Sequence, residues 1–126
     1  MATADLTNLS LVKGISTSPT ISSGNSYIFA HNTATGNETW LVKSLILTNA
    51  STSSTDAQAS VSINTVGVPQ PFEDRIIHEV WIPYGTSLTI IDNTIPIYLQ
   101  YQHYIQIFNL QGDSLRAVIK HDRLRE

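Results

Sequence analysis

The chain contains no cysteine, which excludes disulfide staples and thiolate metal sites. Charge is also scarce: Asp, Glu, Lys and Arg make up 13% of the residues, against about a quarter in an ordinary soluble domain. The net charge is −3 and diffuse, whereas a nucleic-acid binder shows a basic stripe, so nucleic acid is not an expected partner. No apolar run approaches the roughly 20 residues of a membrane-spanning helix. The N-terminal MATADLTNLSLVKG lacks the basic n-region and continuous apolar h-region of a signal peptide. No membrane partner is expected. The glycines stand singly in turn contexts, which leaves no phosphate-cradling loop.

Ser, Thr and Asn fill the space that charge leaves. They disfavour long helices and suit strands joined by polar turns. At 126 residues one domain is expected, large enough to bury its own core. Leu6–Thr17 alternates loosely and reads as an edge strand or an extended arm. Ser26–Ala30 reads as a short strand. Thr39–Asn49 is the strongest apolar run, with Leu41, Leu45 and Leu47 on one face and Trp40, Val42 and Ile46 on the other. A strand apolar on both faces is central and covered twice, here by the opposite sheet and by a neighbouring subunit.

Gln58–Val66 alternates cleanly, with Val61 and Ile63 inward. Pro69 and Pro71 keep Gly67–Asp74 out of any central strand. Ile76–Ile82 and Ser87–Ile91 follow as strands. Ile97–Leu124 holds three apolar runs separated by Tyr101–His103 and Gln111–Ser114, which predicts a three-stranded antiparallel meander. The fold expected is all-β: a single-domain antiparallel two-sheet sandwich, jelly-roll-like, of eight to nine short strands with an extended N-terminal arm. Residues 1–25 form the arm or edge strand and residues 26–126 the β-sandwich domain.

Catalytic chemistry finds little purchase. The four histidines, His31, His78, His103 and His121, form no HExxH or HxH pair. His78 and Glu79 point to opposite faces of a regular strand. His103 and His121 could approach each other across the meander, either as a metal site or as ordinary hydrogen-bonded side chains. Gly112-Asp113-Ser114-Leu115 looks like the GDSL label of some esterases, but those place it near the N-terminus of a longer α/β domain. Here it reads as a turn. No cofactor, no metal and no enzymatic activity are expected.

Contact residues are better marked. Trp81 is the candidate exposed aromatic, since Val80 and Ile82 look inward. It suits either a sugar-stacking platform or a packing contact. Four of the seven basic residues, Arg116, Lys120, Arg123 and Arg125, fall in the last eleven positions, as a docking patch for an acidic surface or as a solvated terminus. In the arm, Leu9, Leu11, Val12 and Ile15 would become contacts if it lay on a neighbour.

Val42–Asn49 with its Ser/Thr-rich loop, Val80–Pro83, Ser87–Ile90, Pro96–Leu99 and Tyr104–Ile119 together resemble small β-sandwich virion structural proteins of tailed phages, particularly marine and cyanobacterial ones. The resemblance spans Trp40–Leu124. It implies a non-enzymatic building block of the tail, baseplate or fibre adaptor, or a capsid decoration (cement) protein. Such a protein would be made in the host cytoplasm and located in the virion. Its partners would be other virion proteins and copies of itself, in a homotrimer or larger ring. A carbohydrate-binding β-sandwich module is the alternative.

Overall fold

The computed structural model describes residues 11–31, 38–65 and 74–125. These residues hold ten strands and no helix. In chain order they are β1 (Leu11–Thr17), β2 (Thr20–Ser22), β3 (Ser26–Ala30), β4 (Glu38–Asn49), β5 (Ala57–Thr65), β6 (Asp74–Ile82), β7 (Ser87–Ile91), β8 (Ile97–Leu99), β9 (His103–Gln111) and β10 (Ser114–Arg125). The strands form two antiparallel sheets, as the polar-turn composition predicts. One has the order β1-β10-β4-β7, with β2 also on β10 and β8 also on β4; the other has the order β3-β9-β5-β6.

The larger sheet is only four strands wide. β1 and β2 pair with successive stretches of β10, and β7 and β8 with successive stretches of β4. Proline breaks the first lane at Pro19, which has no N–H to give to the ladder; its carbonyl still accepts from Ala117 N at 3.0 Å. The result is an eight-lane jelly roll, a closed two-sheet arrangement of Greek keys.

Three expectations change. Ile97–Leu124 is not a meander: β8 pairs with β4, β9 with β3 and β5, and β10 with β1, β2 and β4. A short connection can join two strands of one sheet or carry the chain across to the other sheet, and sequence does not separate the two. Of the two readings of the N-terminal stretch, residues 11–22 take the edge strand and not the arm: they form the edge lane of the larger sheet, so no boundary at residue 25 separates them from the sandwich. Leu9 lies outside the described residues.

The third change concerns β4. Its register against β10 shifts between Lys120 and His121, so a bulge at Lys43–Ser44 resets the alternation. Trp40, Val42, Leu45 and Leu47 therefore all belong to the buried core. The strand is central, as expected, but the bulge puts Trp40 and Val42 on the same inner face as Leu45 and Leu47 and leaves Leu41 and Ile46 half-buried on the outer one.

The core between the sheets is filled by these side chains and by Ile105, Ile107, Leu115, Ala117 and Ile119, all fully buried. At the end where β9 crosses to β10, Gly112 has a φ of +110°, and a Cβ there would meet Ala57 Cβ at 3.0 Å and its Cα at 3.1 Å. Gly112→Ala is expected to cost about 1–3 kcal/mol, read as a lower urea midpoint. Gly24 has a φ of +78° but open space around it, so Gly24→Ala should lose less.

Candidate functional site

Period-two geometry assembles a buried polar cluster at the edge of the sandwich where β1 and β3 lie. Glu38 and Trp40 are two apart on β4 and share its inner face. Arg123 lies directly opposite Trp40, and His121 opposite Val42. His31, just past the end of β3, completes the group. The rings stack: His31 on Trp40 at 4.7 Å and Trp40 on His121 at 4.8 Å between centroids, with Phe29 edge-on to His121 at 4.9 Å. The Arg123 guanidinium sits 5.6 Å from the Trp40 ring centroid.

Glu38 is 1% exposed, a position a carboxylate occupies only when it is paired. Trp40 Nε1 donates to its Oε1 at 2.8 Å, and Arg123 Nε donates to the same oxygen. Burial by itself would raise the Glu38 pKa. The hydrogen bonds from Arg123 and Trp40 and the Arg123 charge outweigh it and hold the pKa below the ordinary value. The His31 pKa is lowered by burial against the raising effect of its hydrogen bond to the Glu38 carbonyl, 3.0 Å from Nε2. The His121 pKa is lowered by burial and by the Arg123 charge. Neither ring nitrogen of His121 has a hydrogen-bond partner among the described residues.

Beside this cluster a cavity of about 360 Å³ opens between Ile15 and Thr17 of β1 and Tyr27–Ala30 of β3. The cluster seals this side of the sandwich with aromatic faces and a paired charge. Among the described residues no group of three His, Cys, Asp or Glu could hold a metal ion. His103 does not meet His121: its Nδ1 accepts from Gln100 N at 3.3 Å, in the smaller sheet, while His121 lies in the larger one.

The basic C-terminal residues separate for the same period-two reason. Arg116 and Lys120 are exposed on the outer face of the larger sheet, Lys120 beside the Lys43–Asp122 ion pair at 3.2 Å. Arg123 turns inward to Glu38, and Arg125 is exposed at the strand end. They do not form one docking patch. Val12 is 60% exposed, Ile15 half-buried against the cavity, and Trp81 52% exposed. Leu11 pairs through its backbone with Arg125.

The outer face of the smaller sheet is chemically distinct. None of the residues of β3, β5 and β9 is Asp, Glu, Lys or Arg. Cross-strand register places Ser26, Phe108 and Ser60 in one row, Ile28, Gln106 and Ser62 in the next, and Ala30, Tyr104 and Asn64 in a third. Ile28 is 54% exposed and Leu110 40%. The charged residues begin only on β6, where two bulges break the register against β5. At one of them Glu79 takes a left-handed φ of +51° and its N–H donates to Ser60 Oγ at 2.8 Å. This puts His78 and Glu79 within 3.7 Å of each other instead of on opposite faces. Beside the bulge is a pocket of about 190 Å³, lined by Val61, Ile77, Phe108 and Leu110 and rimmed by Arg75, His78 and Glu79. No sequence pattern announces a bulge in β6. The absence of charge from β3, β5 and β9 is plain in the sequence once those strands are known to be neighbours.

No family model and no curated protein matches the chain. A solved structure does match the fold, the Drosophila NLP core, whose crystal structure gives insight into pentamer formation and histone binding. The TM-score is 0.54 at 12% identity, covering 90% of this chain and 98% of that one. This finding corrects the expectation of a phage tail, baseplate, fibre-adaptor or capsid decoration protein, because the structural neighbour is a histone-binding core. The expected virion partners fall with it.

Proposed function

We propose that the chain is a non-catalytic subunit of a closed homo-oligomeric ring, and that the ring binds a basic polypeptide. The observation that carries this reading is the match over nearly the full length of a core that forms a pentamer and binds histones. The chain's own chemistry supports it in two ways. The outer face of the smaller sheet is depleted in charge in the manner of an oligomer contact. The chain is also acidic, at −3 with a pI near 5.7, and a ring multiplies that charge and the attraction it exerts on a cationic partner.

The acidic surface is clearest at the end where the β4–β5, β6–β7 and β9–β10 loops meet. Asp56 Oδ1 accepts from Tyr84 N at 3.2 Å, and Asp113 Oδ2 accepts from Ser53 N at 3.3 Å. These loops contain no Lys or Arg. Purified protein is expected to retain core histones on a pull-down at low ionic strength. The affinity should fall steeply as salt rises from about 0.05 to 0.5 M, because exposed charges are screened over that range. Asp56→Asn with Asp113→Asn keeps the oxygen acceptors and removes two charges per subunit; it should weaken retention without lowering the melting temperature. No retention at low salt, or retention indifferent to salt, would contradict the cargo assignment.

A further inference from the structure

We infer that the outer face of the smaller sheet, free of charged side chains across β3, β9 and β5, is a head-to-tail contact between copies of this chain. In it Ile28 of one copy enters the Phe108–Leu110 pocket of the next. The inference rests on the ring-forming reading and names the surface that would build the ring.

A ring with an odd number of subunits cannot be closed by two-fold contacts alone. It needs two different, complementary patches on each subunit. The smaller sheet carries such a pair on one face. Ile28 stands on β3, an edge strand, and is an aliphatic side chain more than half exposed. The pocket lies toward the other edge, between β9, β5 and the bulged β6. Three inter-strand spacings, roughly 14 Å, separate the two edges, so one subunit can offer the knob and the socket to two neighbours at once.

Size selects the occupant. At about 190 Å³ the pocket is smaller than the roughly 300 Å³ at which small-molecule sites begin, and it suits a single branched side chain. Val61, Ile77, Phe108 and Leu110 give it apolar walls beside Ser60 and Ser62, and the exposed Arg75, His78 and Glu79 stand at its edge. An apolar centre with a polar rim is the pattern of a protein contact in which a few central residues carry the energy. The row of the knob, Ile28 with Gln106 and Ser62, and the next, Ser26 with Phe108 and Ser60, carry no charge, so closing the contact strands no buried charge on β3, β9 and β5. The outer face of the larger sheet is charged by contrast, carrying Lys43, Arg116, Lys120 and Asp122. A second copy also explains how a chain with so little charge avoids exposing an uncharged sheet face to indiscriminate association.

The test uses the intact chain and two single variants, Ile28→Asp and Leu110→Asp. Both side chains are exposed, so folding should be retained, as an unchanged circular dichroism spectrum and melting temperature will show. Each variant alone is expected to run at the monomer mass, because neither can close a ring. Mixed, they should form a one-to-one heterodimer, since the Leu110→Asp copy keeps an intact knob and the Ile28→Asp copy an intact socket. The double variant Ile28→Cys, Leu110→Cys gives an independent reading in a chain without native cysteine. On oxidation it should yield an intersubunit ladder that ends at the ring size. A wild-type oligomer that both Asp variants leave assembled would overturn this contact while leaving the ring reading standing. A wild-type monomer would overturn both.

Discussion

Trp40→Ala is expected to lower the unfolding free energy by about 3–5 kcal/mol, the range for removing a large buried aromatic side chain. That is a large share of the roughly 5–15 kcal/mol available to a domain. The residue is 9% exposed and does three things at once. It stacks between His31 and His121, lies under the Arg123 guanidinium, and donates its Nε1 hydrogen to Glu38. Removing it opens a cavity and takes one of two named donors from a buried carboxylate. Trp40→Phe separates the effects: the ring face survives and the hydrogen bond does not, so a loss of about 1–3 kcal/mol is expected. Urea unfolding followed by circular dichroism measures both. A Trp40→Ala variant within 1 kcal/mol of wild type (about the cost of an ordinary substitution) would show that the cluster does not hold the open edge.

Acid should destabilise the fold in two steps. His31 and His121 both have folded-state pKa values lowered from 6.5, chiefly by burial. The unfolded chain therefore binds more protons than the folded one once pH drops below that value. Their contribution is fully present above about pH 6.5 and is lost as pH falls through that region, at up to about 1.4 kcal/mol per pH unit for each histidine. Glu38 adds a second loss at lower pH. Its folded pKa is lowered from 4.5, so its stabilisation is present above that value and disappears as pH falls toward the folded pKa. Denaturation midpoints between pH 8 and pH 4 are expected to fall, with the first decline beginning near neutrality. His121→Leu removes one titrating group and should make that first decline shallower. A flat profile from pH 7 to pH 5 would contradict the neutral, buried state of both rings.

The strands were legible in the sequence where period two runs unbroken. Ala57–Val61 and Ser114–His121 show it, and each has its apolar set inside. Legibility failed at bulges, where one extra residue moves every following side chain to the other face. On β4 that moved Trp40 and Val42 to the face of Leu45 and Leu47; on β6 it brought His78 and Glu79 together. Pairing between distant strands was not legible either. Glu38 and Arg123 are 85 positions apart, and nothing local to Glu38 says that its carboxylate will be buried or which cation will meet it. The basic C-terminal residues misled for a related reason. Counting them along the chain hid that Arg116 and Lys120 point outward while Arg123 points in. The charge-free run of β3, β5 and β9 became a face only when the topology set the three strands side by side.

The most direct test of the ring is the native mass of the wild-type protein. Light scattering or native mass spectrometry across a hundredfold range of concentration should find one closed species. On the proposed ring reading, five copies of the 13.9 kDa chain would run at about 70 kDa. A single species at 13.9 kDa throughout that range would contradict it.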